Sequence, residues 1–420
     1  MKIFIAILLF YINISPMESL VNTAYLDHLY EETTVNNSTI GFVHIYAEAP
    51  DYKWVEANGE GIACIDDAAR AAVFYMNYYN DTHDLKCLNK IKNLINFHLY
   101  MQSKNGFFYN FIWKDYSVDS TYRTSIAEPN WWSWRALWAL SEAHKFYLKS
   151  DPVFADNIKS HSDRLVDVLS KWLNNENKSV TYGGYVLPAW LPFETASDQS
   201  AIIVKALSSY YGSDKSKRIR TIIEHLCSGM IKMQQGDKLN PPYCAFLSWQ
   251  NSWHAWGNSQ SDALIEAGTV LNKKEYIDAA VKEIKYFYPW LIRNEFYSGF
   301  TIIKDKKGIP SFQDTIRFSQ IAYGIRPMIF SCMSAYNKLK DTAYLNIALN
   351  AVRWFFKYNP ADSVMYDPQN GRGYDGIIGF GKINTNAGAE STIESLLSMQ
   401  RIEKDTHAKQ LLISLYLKSG

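Results

Sequence analysis

Residues 65–76 read IDDAARAAVFYM, with two adjacent carboxylates at the head of a run whose Ala, Val, Phe, Tyr and Met residues leave no polar face at any helical period. A helix of that kind has to be buried all round. The next segment, 85–102, is built differently: Leu85, Leu88, Ile91, Leu94, Ile95 and Leu99 form one stripe, with Lys86, Asn89, Lys90, Lys92 and Asn93 off it. That pattern predicts a helix with one face on the core and the other in water. The pairing of an inner with an outer helix then recurs along the chain. Inner helices are predicted at 131–149, 198–211, 259–271, 317–336 and 386–400, with amphipathic partners at 151–173, 215–235, 273–293, 342–358 and 405–418.

Within a pair the connection is short and polar, as in Asn80-Asp81-Thr82-His83-Asp84. Between pairs it is long and rich in glycine, proline and aromatic residues, over 103–130, 174–197, 236–258, 294–316 and 359–385. Long ordered connections are usually functional ones. The pairs close naturally into an all-α (α/α)6 barrel, a toroid of six helical hairpins whose long loops gather at the N-terminal ends of the inner helices. On this repeat the chain resembles the six-hairpin glycosidase superfamily, from about Gly59 to the end. The resemblance implies a catalytic domain over 59–420 with its active site in the cavity above the inner-helix N-termini. Residues 21–58 are then expected as an N-terminal extension. The same toroid carries hydrolases, polysaccharide lyases and sugar epimerases, so the chemistry has to be read from the site.

The inner-helix starts bring polar groups to one mouth: Asp66 and Asp67, Glu128 with Trp131 and Trp132, Asp198 and Gln199, Trp256 with Asn258, Arg317, and Glu390. A single aspartate at such a place is often only a cap, because it accepts from unpaired backbone N–H groups. Caps need one carboxylate, and here there are two. Glycoside hydrolysis needs a protonated acid beside a carboxylate that serves as nucleophile or base. Close carboxylates supply that asymmetry, since charging one raises the proton affinity of the other. An adjacent aspartate pair at an inner-helix start also resembles the endo-α-1,6-mannanases of the superfamily, which supports carboxylate chemistry without fixing a substrate. Asp66 and Asp67 therefore lead as catalytic residues, followed by Glu128 and Glu390. Arg70, three residues after Asp67, is placed to pair with it. Trp131, Trp132, Trp190, Trp253 and Trp256 are expected to stack on sugar rings, with His254 between two of them. Tyr374 and Asp375, in the glycine-rich stretch GRGYDGIIGFG, are expected in a loop over the mouth.

Composition fits this picture. The chain has 420 residues, 47% hydrophobic and 15% aromatic, enough for a large core and for rings in a cleft. A net charge of +1 offers no basic stripe for nucleic acid. Five cysteines without C-x-x-C spacing point to buried free thiols rather than disulfides or zinc. No phosphate-binding glycine motif or calcium loop occurs, so neither a metal nor a cofactor is expected. The apolar run 3–12 after Met1-Lys2 has the layout of a secretory signal peptide over 1–20, too short to favour a span. The expectation is an exported, secreted or periplasmic glycoside hydrolase acting on a carbohydrate, without stable membrane insertion beyond the signal segment. Two alternatives stand beside it. One is a lyase or epimerase, with His254 or Tyr374 as base and Arg70, Arg123 or Arg317 holding a uronate, and the other a non-catalytic glycan-binding toroid.

Overall fold

A computed structural model describes residues 19–174 and 176–414. The apolar run read as a signal peptide lies outside the described residues. The chain opens with α1 (Ala24–Leu29), then makes the pairs α2 (Ile65–Thr82) with α3 (Lys86–Met101), α4 (Trp131–Tyr147) with α5 (Pro152–Trp172), and α6 (Ser197–Asp214) with α7 (Lys217–Lys232). It continues through α8 (Gln260–Leu271) with α9 (Lys274–Lys282) and α10 (Tyr288–Arg293), α11 (Ala322–Leu339) with α12 (Thr342–Val352), and α13 (Ala389–Glu403) with α14 (Thr406–Leu412). Helix α2 packs on α4, α4 on α6, α6 on α8, α8 on α11, α11 on α13 and α13 back on α2. The ring of six inner helices is closed, and each carries its outer partner on the outside. This is the (α/α)6 toroid that the repeat predicts.

The alanines of α2 explain why it takes the inner position. Ala68, Ala69, Ala71 and Ala72 are fully buried, strong helix formers small enough to let α4 and α13 approach closely. All five cysteines are free and buried. Residues 21–58, expected as an extension, are built into the toroid: the antiparallel hairpin Tyr30–Val35 with Ser38–Val43 packs on α3, and Leu26, Leu29, Ile40 and Phe42 join the common core. Ala387 and Ala389 donate their N–H groups to the carbonyls of Ala47 (3.1 Å) and Ile45 (2.9 Å), fastening this segment to the start of α13. Among the described residues no helix is long and apolar enough to cross a membrane.

Three boundaries differ from the sequence expectation. The fifth inner helix begins at Ala322 rather than at 317, because Gln320 exchanges both backbone hydrogen bonds with Ile377 and its side chain donates to the carbonyls of Glu295 and Phe296. The last inner helix begins at Ala389 rather than at 386, since the preceding residues are spent on the seam with Ile45 and Ala47. The fourth outer helix is interrupted by a π-turn, Glu283–Phe287, just before Pro289, which has no N–H to continue the ladder. The glycine-rich stretch around Tyr374 is no open loop: Arg372–Gly373 and Gly376–Gly379 are short strands in two hairpins.

Candidate active site

Cys64 is the N-cap of α2, its Sγ accepting from the Asp67 N–H at 3.3 Å, so neither aspartate serves as the cap. Both stand in the first turn, where the helix dipole favours carboxylates. Arg70 lies one turn further and gathers four acids. Its Nη2 pairs with Asp66 Oδ2 and with Asp67 Oδ1 (3.2 Å), and its Nη1 donates to Glu390 Oε2 (3.0 Å) and Glu394 Oε1 (3.1 Å). Glu390 and Glu394 stand one turn apart on α13. Arg135 of α4 brings Nε to 2.5 Å from Asp66 Oδ1, and Arg326 of α11 pairs with Glu394 Oε2. Tyr323 of α11 sits among the three guanidinium groups, their central carbons 5.1, 4.7 and 5.7 Å from its ring centre for Arg70, Arg135 and Arg326. Its hydroxyl accepts from Arg135 Nη2. Four inner helices thus meet in one polar cluster at the top of the axis.

Crowding sets the proton affinities. Burial, with the nearby Glu390 and Asp66 carboxylates, outweighs Arg70 and pushes Asp67 up to about 7. Burial first, then Glu394 and Asp66, raises Glu390 as well. Burial and the neighbouring Arg70 and Arg326 bring Arg135 down to about 10, so it stays a cation at neutral pH. A cavity of about 320 Å3 opens on the cluster, lined also by Tyr46, Glu60, Asn110 and Asp375. The Glu390 side chain is 39% exposed and that of Asp66 22%, against 3% for Asp67. Glu390 Oε1 has no partner among the described residues, whereas both oxygens of Asp66 face guanidinium groups. Asp375 Oδ1 accepts from the Gly388 N–H and the Ser391 hydroxyl, both at 2.8 Å, and so holds the start of α13 against the cavity. Gly388 has to be glycine there, because a Cβ would lie 2.5 Å from the Ile45 carbonyl oxygen.

A second group of polar residues surrounds His254. Its Nε2 lies 2.9 Å from Asp198 Oδ2 and its Nδ1 2.8 Å from the Trp256 carbonyl, while the ring stacks on the Trp256 indole at 3.8 Å. Both nitrogens therefore face acceptors within the protein. Trp256, 41% exposed, also meets half-buried Trp131 with ring centres 5.5 Å apart. Gln199 accepts from Trp134 Nε1 at 2.8 Å, and Asn258 Oδ1 accepts from Ser248 and Gln260. Both are buried supports.

Several expected site residues are placed elsewhere. Trp132, Trp190 and Trp253 are 5%, 2% and 3% exposed and fill the core, with Trp253 stacked on Phe300; of the five, Trp131 is half-buried and Trp256 exposed. Glu128 accepts from Asn130 Nδ2 at 3.0 Å and does not line the cavity at Asp66. Arg317 is held on the outer rim by the Asn294 carbonyl (2.8 Å), Glu295 (3.2 Å) and the Tyr297 ring. Tyr374 is half-buried and packs on the core. The sequence reading overlooked Arg135, Arg326 and Glu394. Arg135 and Arg326 are each a lone charge in an apolar run, WSWRALWAL and YGIRPMIF, and Glu394 repeats Glu390 one helical turn on. A charge without polar neighbours on a helix buried all round is a legible sign of a partner across the axis. Among the described residues no group of three or more His, Cys, Asp or Glu side chains is arranged to hold a metal ion.

No family model matches the sequence, and no curated protein does either. Solved structures do match in shape. A sugar epimerase from a ruminal bacterium aligns over 93% of this chain and 97% of its own, with a TM-score of 0.60 and 12% identity. The cellobiose 2-epimerase of Spirochaeta thermophila aligns over 87% and 91%, at 0.56 and 12%. A family 76 glycoside hydrolase from a bovine Bacteroides thetaiotaomicron strain aligns over 86% and 75%, at 0.52 and 11%. The chain thus has the six-hairpin, (α/α)6 glycosidase-like fold shared by these structures.

Proposed function

We propose that the protein is a carbohydrate-active enzyme and, within that class, a glycoside hydrolase. Both kinds of enzyme occur among the fold's relatives, so the choice rests on the site. The observation that carries it is the convergence of Asp66, Asp67 and Glu390 on Arg70 at one open cavity, with Asp67 and Glu390 raised in proton affinity. Hydrolysis asks for that combination: an acid whose proton affinity is raised above the usual carboxylate range beside a carboxylate that supports the developing positive charge. Glu390, accessible and with one oxygen uncommitted, delivers the proton to the leaving oxygen. Asp66, between Arg70 and Arg135, is the carboxylate on the other side of the bond. Asp67 sits behind them as a positioning residue whose proton limits the negative charge around Arg70. Trp131 and Trp256 offer ring faces to the sugar.

Epimerisation needs a base with a free lone pair at the sugar's carbon acid. His254 has both nitrogens engaged by Asp198 and Trp256, which favours hydrolysis. The test is to incubate the enzyme with neutral and acidic oligo- and polysaccharides while following reducing ends, unsaturated uronate absorbance and the sugar isomers by NMR. New reducing ends without that absorbance support the proposal. A changed isomer ratio at constant reducing ends, abolished by His254→Asn, would replace it with epimerisation. Export is part of the same proposal and rests on the 3–12 run alone; cell fractionation with and without that run tests it.

A further inference from the structure

The cation cluster does not end at the rim. Two turns beyond Tyr323 on α11, Phe330 is again surrounded by three cations, with Arg326 at 5.0 Å, Lys205 at 5.5 Å and Arg401 at 5.4 Å from its ring centre. This column descends the axis of the toroid to a second cavity, of about 770 Å3, at the opposite face from the candidate active site. Five inner helices form it with their C-terminal halves, α4, α6, α8, α11 and α13.

This cavity is rich in groups that bind hydroxyls. Arg401 Nη2 donates to the Ser334 hydroxyl at 2.6 Å, which in turn donates to Asp262 Oδ1 at 2.6 Å, while the buried Nε of Arg401 has no acceptor. Ser208, 2% exposed, has a hydroxyl without a partner. Buried polar groups left unpaired are destabilising unless water or a ligand completes them. Glu266 Oε1 accepts from Lys205 at 3.2 Å, and burial together with Asp262 and Glu142 pushes its carboxyl up to about 7, so it can also donate. At the lip stand the exposed Lys145 of α4 and Lys338 of α11. Neither is hydrogen-bonded or ion-paired among the described residues, and the one unpaired acid beside them is Glu142. Positive charge is in surplus at the mouth, and hydroxyl partners line the same cavity.

We infer that this cavity binds a small hydroxylated anion, a sugar carboxylate or a sugar phosphate, its hydroxyls on Glu266, Ser208 and Arg401 and its anionic group between Lys145 and Lys338. The inference is independent of the chemistry at the rim. Isothermal titration of the full chain with glucose 6-phosphate, glucuronate, glucose and inorganic phosphate tests it. At least one of the two anionic sugars should bind about tenfold more tightly than glucose and phosphate, and Lys145→Gln with Lys338→Gln should weaken it by about tenfold or more. The stronger of the two names the anion. Asp66→Asn, at the far face, should leave that binding unchanged. Absence of binding by both anionic sugars, equal binding of glucose, indifference to the lysine pair, or loss of binding in Asp66→Asn would each overturn the inference.

Discussion

Glu390 is the most exposed of the three acids, and, as the proposed proton donor, its replacement in Glu390→Gln is expected to lower turnover by about 100-fold or more while the far-ultraviolet circular dichroism stays native. An active Glu390→Gln would remove it from the mechanism. On the same proposal Asp67 acts through charge. Its folded-state affinity lies above the unfolded value of 3.8, at about 7, so its contribution to stability is full below about pH 4 and is lost as the pH rises through about 7. Above that pH Asp67 adds a negative charge beside Asp66 and Glu390. The expected result is an activity profile with a basic limb near pH 7 that Asp67→Asn shifts or flattens, measured as kcat/KM against pH. The acids Asp66, Asp67 and Glu390 could be read from the chain because they interrupt or head apolar helices at the start of a repeat. The tryptophans could not be sorted: an indole in a loop looks the same in sequence whether it is exposed beside Trp131, as Trp256 is, or buried against Phe300, as Trp253 is.

At the scale of elements, the π-turn Glu283–Phe287 points Glu283 inward, where it accepts from the Phe246 N–H (2.9 Å), the Ser261 hydroxyl (2.6 Å) and the Tyr288 hydroxyl (3.1 Å). Burial outweighs these bonds and pushes its carboxyl up to about 7. The folded chain therefore holds a proton that the unfolded chain releases above about pH 4.5, and stability falls as the pH rises from there through about 7. Glu283→Gln keeps the acceptor and removes the titration. It should flatten the decline in denaturation midpoint between pH 5 and pH 8, and an unchanged decline would assign it to other groups. The periodicity of the fourth outer helix does not disclose the turn. It depends on Pro289 and on which carboxylate finds donors across the interface, and the second of these is a tertiary fact.

At the scale of the whole molecule, Glu394 ties the ring together: fully buried on α13, it pairs with Arg70 of α2 and Arg326 of α11 across the axis. Glu394→Gln leaves two buried guanidinium groups under-compensated and should cost about 3–5 kcal/mol. Chemical denaturation reads this directly, and a loss below about 1 kcal/mol would show that the remaining acids suffice. By itself the sequence determined the six helix pairs, the sidedness of each helix, the face on which the long connections gather and the place of Asp66 and Asp67 at an inner-helix start. Those follow from apolar periodicity and from chain connectivity, which are local. Only the tertiary structure decided that residues 21–58 complete the core, that Arg70 binds acids from both α2 and α13, that Trp190 is buried, and that a second polar cavity lies beneath the first. Each of these depends on which surfaces of distant helices meet when the ring closes, and that closure is set by packing between segments hundreds of residues apart, such as α2 and α13.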